Sequence, residues 1–434
     1  MVTLVLFCHV VGGVTMPIIL HAADLHLDSP LRGLERYDGA PVDALRGGTR
    51  RALEKMVDQA LERRADLLVI AGDLYDGDGD DYGTALFLNG QMDRLHQAKV
   101  PVCVIRGNHD AASQLTRYLK CPPNVHIFSS DQPETKFFPD LGVAVHGQSF
   151  ANRAVTANLA AAYPAAVPGL FNLGVLHTAM GGREGHETYA PCGIDDLMRR
   201  GYDYWALGHI HKPEVFCEDP LVVMPGNLQG RHVRECGERG CVWVEAAPGQ
   251  QPRHTTSVFN VLRWEVVPVD ATGASGLDEV LDRAEKALAG IAHTAGAELL
   301  AARVEVVGAT PAHAKLAARQ ERLTAELRSL ATSIPGYRVW VEKVKLATRP
   351  PRKQDYDDGP LRTLVQVVAD LRSDPEELKK LVSEAIGDLR KKLPHELDGT
   401  DLGPQPENDD WLGAVLDRAQ SRLEAGLLGA EDDS

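Results

Sequence analysis

The chain carries five short clusters of metal-ligand-type residues, each directly after or at the end of an apolar, strand-like run. Asp24-Leu25-His26 follows PIILHAA, Gly72-Asp73 follows DLLVIA, and Gly107-Asn108-His109-Asp110 follows VPVCVIR. LGVLH ends in His177, and YWAL runs into Gly208-His209-Ile210-His211. Taken singly, each is ordinary. Gly-Asp is common turn chemistry, and a lone His at a strand end is usually a satisfied structural residue. Asn-His-Asp in a row suits neither strand nor helix, and His-x-His places two imidazoles on one side of an extended segment. In an open α/β sheet the ligand site lies outside the carboxyl ends of the strands. The strand ends would therefore deliver Asp24, His26, Asp73, Asn108, His177, His209 and His211 into one crevice. Carboxylate, amide and imidazole donors without cysteine suit manganese, iron or zinc in a reactive site rather than a structural one. So many donors exceed one ion's shell and fit two ions that share a carboxylate. Such pairs serve phosphoester hydrolysis, where they activate water and stabilise charge on the displaced oxygen.

The ordered set D-x-H, G-D, G-N-H-D, H and G-H-x-H resembles the calcineurin-like metallophosphoesterase superfamily over about residues 16–246. Three further stretches, DLHLDSPLRGL (24–34), HTAMGGREGHETYAPC (177–192) and MPGNLQGRHVRE (224–235), resemble its DNA-repair exonuclease branch of SbcD-like nucleases. They look most like the bacterial YhaO-like exonucleases. The resemblance implies that Asp24, His26 and His211 hold one divalent ion, Asn108, His177 and His209 hold the other, and Asp73 bridges them. Manganese is the expected metal, with iron or zinc as alternatives. It also implies that His109 faces the phosphate as general acid or electrostatic stabiliser, and that Asp110 orients that ring. Some nucleases of this branch carry a second active-site His three residues after the bridging Asp. Here that position is Asp76, which opens the acidic run 76–81 and reads as a solvated loop. Arg231 and His232, after a Gly/Pro turn, and His186, in a Gly-rich loop, are the candidate substrate contacts. The implied activity is a metal-dependent DNA exonuclease acting on duplex ends or single strands. Hydrolysis of small phosphodiesters or nucleotides is the alternative, and a non-catalytic scaffold docking an ATPase is an alternative of a different class.

These residues need a frame to position them. Strand-like runs alternate with amphipathic stretches such as Arg50–Arg64 and Gly83–Gln97, which argues for a layered α/β fold. With the resemblance, the expected architecture is a metallophosphoesterase β-sandwich flanked by helices, over residues 16–260. Residues 261–348 follow a β-α-β-α-β order, a small α+β capping domain, with one helix over Ala312–Leu330. Residues 349–360 form a Pro- and charge-rich linker, and 361–434 a helical, acidic C-terminal region with helices over Leu361–Leu393 and Asp410–Leu428. Residues 1–15 are apolar but lack the positive start and the Ala-x-Ala-like site of a secretion signal, and read as a non-structural extension. Leu364, Val367, Val368 and Leu371 stand at helical spacing, suited to docking a helix groove or to packing on the chain's own catalytic domain. No GxxxxGK[ST] phosphate loop occurs, and the resemblance implies an SMC-like coiled-coil ATPase as partner. A homodimer is a further expectation.

The net charge of −15 over 434 residues speaks against a nucleic-acid binder at first sight. The excess is concentrated: residues 361–434 hold 9 basic and 17 acidic side chains. Arg338, Lys343, Lys345, Arg349, Arg352 and Lys353 give the second domain a basic edge that could meet a phosphate backbone. Asp24 and Asp73 would face cations, which reverses the local sign. Seven cysteines, an odd number without CxxC, point to reduced thiols and a cytoplasmic protein. No run of 18 apolar residues occurs, so no membrane association is expected.

Overall fold

The computed structural model describes residues 10–11, 14–29, 39–76, 82–112, 121–182, 189–351, 360–390 and 405–431. The chain divides into two compact units, Met1–Glu265 with Thr294–Ala301, and Val266–His293 with Ala302–Ser434.

In the first unit, β1 (Val10–Val11) pairs antiparallel with β2 (Val14–Thr15). The N-terminal extension, expected to be non-structural, thus ends in a short ribbon of β-branched residues. There follow, in chain order, β3 (Ile18–Ala22), β4 (Leu67–Ala71), β5 (Val102–Ile105), β6 (Val125–Ile127), β7 (Glu134–Phe138), β8 (Val143–Gly147) and β9 (Phe171–His177). Next come β10 (Tyr204–Gly208), β11 (Glu214–Glu218), β12 (Leu221–Met224), β13 (Gly240–Glu245) and β14 (Arg253–Val258). They form two six-stranded sheets, ordered β14-β13-β3-β4-β5-β6 and β11-β12-β10-β9-β8-β7. Within them β3, β4, β5 and β6 run parallel, as do β8, β9, β10 and β12.

Strand alternation divides the side chains among three apolar layers. Ile19, Val69 and Ile105 of the first sheet meet Val145, Leu173 and Tyr204 of the second. On the outer face of the first sheet, Leu20, Ile70 and Val104 pack under Met56 and Val57 of helix Gly48–Glu62 and Leu88 and Met92 of helix Tyr82–Gln97. The second sheet covers its outer face with Tyr163, Leu197 and Tyr202 over Trp205 and Leu207. Central strands buried on both faces read as continuous apolar runs. The layered α/β sandwich flanked by helices is the fold expected from the sequence.

His21 is the polar exception inside β3. Its Nδ1 lies 2.8 Å from Tyr204 Oη and its Nε2 3.1 Å from the Leu207 carbonyl, so it ties one sheet to the other. Burial holds its pKa down to about 3. The unfolded chain then binds a proton that the native state refuses between about pH 6.5 and 3, so stability falls as pH drops through that window. We expect wild-type protein to lose about 2 kcal/mol more stability than His21→Gln between pH 7 and pH 5, read from urea midpoints. Equal losses in the two proteins would exclude His21 as a source of acid sensitivity.

The second unit contains most of a three-stranded sheet, β15 (Leu262–Asp270), β16 (Leu299–Ala309) and β17 (Val339–Arg349), in that order. Its helices include Leu277–Ala295, and the segment predicted as one helix over 312–330 is two, His313–Ala318 and Gln320–Thr332. The helix predicted over 361–393 is also broken, into Pro360–Ser373 and Pro375–Arg390. The cause is Pro375, whose ring disfavours helical backbone at Asp374 but suits the first turn of the next helix. Asp374 Oδ1 then caps the Glu377 N–H at 3.1 Å. Val368 packs with Leu378, Leu412 and Leu416, flanked by Leu364 and Leu371. Of the four residues singled out as a docking face, Val368 is therefore buried and Leu364 and Leu371 partly buried against the chain's own helices, including Asp409–Glu431, while Val367 stays 49% exposed. Among the described residues no helix is long and apolar enough to cross a membrane, and Cys103, Cys121, Cys192, Cys217 and Cys241 are not joined in disulfides.

Candidate metal centre

The centre is assembled at the carboxyl ends of β3, β4, β5, β9 and β10. Beyond β3 and β4 the chain does not separate into independent loops. The amides of Asp24, His26 and Leu27 donate to the carbonyls of Gly72, Asp73 and Leu74 at 2.9–3.0 Å, which zips the two ligand segments together. This register demands left-handed backbone at Asp24 (φ 50°), His26 (φ 41°) and Asp73 (φ 52°), and His209 is held at φ 105°. Such conformations cost non-glycine residues about 1–3 kcal/mol each and persist only where surrounding bonds over-determine them. In the second sheet the pairing of β9 with β10 sets His177 opposite Gly208. A Cβ on Gly208 would lie 2.0 Å from the Ala71 carbonyl oxygen, so the two sheets can close on the centre only because that residue is glycine.

Seven residues expected to bind metal converge. Asp24, His26 and His211 offer ligand atoms within 4.8 Å of one another, and so do Asp73, His177 and His209. Asn108 Oδ1 lies 2.9 Å from His177 Nε2. Asp73 stands between the groups, with Oδ2 3.4 Å from His177 Nε2 and 3.8 Å from His26 Nε2, and Oδ1 accepting the His109 amide at 3.0 Å.

The ring orientations suit ligation. His177 Nδ1 is 2.9 Å from the Ala71 carbonyl and must donate to it, so Nε2, beside Asp73 and Asn108, is the nitrogen a cation would take, in place of the proton that those two acceptors hold there. His211 Nδ1, 2.6 Å from Glu235 Oε1, does the same on the other side. His26 Nε2 and His211 Nε2 are only 3.0 Å apart, so one must bear a proton, and the buried Nδ1 of His26 has no hydrogen-bond partner. A cation taking both Nε2 lone pairs would shift that proton to Nδ1, towards Asp76 Oδ1 at 3.9 Å. The donor set therefore fits divalent ions. Burial raises the Asp24 pKa, and burial together with the charge of Asp73 pushes Asp110 up to about 7. A crowd of buried carboxylates of this kind calls for cations.

Three expectations need correction. Asp110 does not present its carboxylate to the His109 ring. Its Oδ1 accepts the Leu74 and Tyr75 amides at 2.8 and 3.2 Å and its Oδ2 the Gly107 amide at 3.0 Å, so it staples two ligand loops. The carboxylate that meets His109 Nδ1, at 3.1 Å, is Asp76. Asp76 is thus built into the centre rather than part of a solvated loop, and it also accepts Ser29 Oγ at 2.5 Å; residues 77–81 lie outside the described residues. Arg231 is not an open phosphate contact, because its guanidinium is paired with Asp76 at 2.6 Å and Glu235 at 3.2 Å. His232 is 47% exposed beside Glu235, and His186 lies outside the described residues. Sequence reasoning passed over Glu235 altogether. Its available signal was its place at the end of the 224–235 motif, four residues after Arg231.

Residues 18–213 match the calcineurin-like phosphoesterase family, and residues 264–349 match the middle domain of metallophosphoesterase YhaO. Metallophosphoesterase YhaO of Bacillus subtilis (strain 168) is 38% identical over 270 residues, 61% of this chain and 66% of that protein. The match thus spans a little under two thirds of that relative's length. A crystal structure of a dimetal phosphatase from Danio rerio shares 12% identity at a TM-score of 0.35, covering 56% of this chain and 99% of that chain.

Proposed function

We propose, for a chain whose residues 18–213 belong to the calcineurin-like phosphoesterase family, that this centre hydrolyses phosphodiesters with two divalent ions and that DNA is its substrate. The observation that carries the hydrolytic reading is one carboxylate oxygen, Asp73 Oδ2, set between donors of both ligand groups. Ions bound there would polarise a phosphoryl oxygen and lower the pKa of a water nucleophile for in-line displacement. Asp24, His26 and His211 would hold one, Asn108, His177 and His209 the other, and Asp73 both. Manganese is the metal we propose.

The chain's own groups supply orientation and a proton. His109 is partly exposed, and its Nδ1 is engaged by Asp76, which leaves Nε2 to deliver a proton to the leaving oxygen. The Asp76 hydrogen bond raises the His109 pKa above the ordinary imidazole value, so the ring stays protonated further towards neutral pH. Removing that carboxylate lowers the His109 pKa. Asp76→Asn should therefore move the basic limb of the pH–rate profile to lower pH and cut kcat by about 10–100-fold. A limb that stays in place would dismiss Asp76 from this role.

Support for DNA comes from the resemblance of the 24–34, 177–192 and 224–235 stretches, and from exposed Arg338, Lys343, Lys345 and Arg349 in the second unit. An SMC-like ATPase belongs to the same reading. It would have to dock elsewhere than on Val368, which the chain buries itself. The test is release of nucleotides from end-labelled duplex and single-stranded DNA with manganese, with and without EDTA, beside bis(p-nitrophenyl) phosphate and a cyclic nucleotide. EDTA-sensitive release from DNA is the expected result. Turnover of the small diesters with intact DNA would reassign the substrate class, and no EDTA-sensitive turnover at all would remove the hydrolytic reading.

A further inference from the structure

Arg231 sits in a closed network rather than at an open surface. Its Nη1 meets Asp76 Oδ2 at 2.6 Å, its Nη2 meets Glu235 Oε1 at 3.2 Å, and its amide donates to Glu235 Oε2 at 2.7 Å. The side chain is 13% exposed. Each carboxylate it holds has a second task. Glu235 Oε1 orients the ligand His211 through Nδ1 at 2.6 Å, while Asn227 Nδ2 secures Oε2 at 3.0 Å. Asp76 orients the proton donor His109 through Oδ1 at 3.1 Å, and the same oxygen lies 3.9 Å from the ring of the ligand His26. One guanidinium thus joins the residue that fixes a metal ligand to the residue that fixes the acid.

We infer that Arg231 is a positioning residue that clamps Asp76 to His109 and keeps that carboxylate out of the metal ligand set. The physical reason is competition. Asp76 is a partly buried anion one imidazole away from a cluster built for cations, and without a fixed counter-charge it is drawn to them. The planar fork of arginine can hold two carboxylates at once, whereas a lysine ammonium is a single point charge. Both Nη groups are engaged by these carboxylates. This inference rests on the two-ion reading above.

The experiment compares wild type, Arg231→Met and Arg231→Met with Asp76→Asn. Mn(II) binding is followed by titration calorimetry, and turnover of bis(p-nitrophenyl) phosphate is resolved into kcat and KM. With Arg231→Met we expect Mn(II) to bind about tenfold more tightly as Asp76 joins the ligands, and kcat to fall about 10–100-fold with KM within about threefold. Adding Asp76→Asn should return the Mn(II) affinity to the wild-type value. Unchanged or weaker Mn(II) binding in Arg231→Met overturns the inference, as does a gain that survives Asp76→Asn. A KM raised tenfold at constant kcat would instead make Arg231 a phosphate contact. Should Arg231→Met fail to fold, Arg231→Lys carries the same readouts, with the same directions at smaller size and the same outcomes overturning the inference. The calorimetric arm needs no turnover, so a wild-type protein that binds Mn(II) but cleaves no diester would defeat the hydrolytic reading without touching the clamp.

Discussion

Asp73→Asn is expected to reduce diester hydrolysis about 10³–10⁴-fold and to lose Mn(II) binding at both ion positions. Asparagine keeps the shape and can still accept the His109 amide that Asp73 Oδ1 takes at 3.0 Å. What it lacks is the charge on the oxygen that faces His177 and His26. Among the described residues no other carboxylate stands between those two rings, so no neighbour replaces it. The metal-free variant should be less stable than the wild type, because, against the cost of burial, the rings of His177, His26 and His109 hold the Asp73 carboxylate well below the usual carboxylate range, which outweighs the repulsion it exerts on Asp24 and Asp110. Calorimetric titration with Mn(II), a steady-state assay and a thermal melt check all three parts. Full activity in Asp73→Asn would refute the bridging role.

Gly107→Ala is the second large effect, and its cause is purely steric. A Cβ at residue 107 would lie 2.2 Å from Asp73 Oδ1 and 2.8 Å from His177 Cε1, well inside contact distance of two ligands. Neither can retreat. Asp73 is tied to the His109 amide, and His177 is fully buried with Nδ1 on the Ala71 carbonyl. We expect Mn(II) affinity and turnover each to fall about 10²–10³-fold, the scale seen when a reacting geometry is displaced by about 1 Å. Gly90→Ala is the matched control. It lies on helix Tyr82–Gln97 with no atom within 4 Å of the new Cβ, and should leave activity unchanged and raise stability by up to about 1 kcal/mol. Equal behaviour of the two variants would contradict the close approach at residue 107.

Much of the centre is legible in the sequence. Asp24, His26, Asp73, Asn108, His177, His209 and His211 announce themselves because a strand buried on both faces is a run of apolar residues, and polar ligands directly after such a run must stand at its carboxyl end. Their pairing into two ion positions needed the family resemblance. The helix expected over 361–393 is broken at a proline that stands in plain view, since apolar spacing on either side of Pro375 looks continuous while the backbone is not.

Local periodicity and residue type were enough to specify a layered α/β fold and to single out the candidate metal ligands, while the sandwich needed the family resemblance. The sharing of the surrounding charges arises only when distant segments meet. Asp76 and Arg231 are separated by 155 positions, and Arg231 and His211 by 20, yet they form one network. Partner choice among buried ions depends on distance and burial, which no local pattern encodes. Asp110 therefore staples backbone loops, Asp76 holds His109, and Arg231 is occupied by two carboxylates instead of waiting for a phosphate.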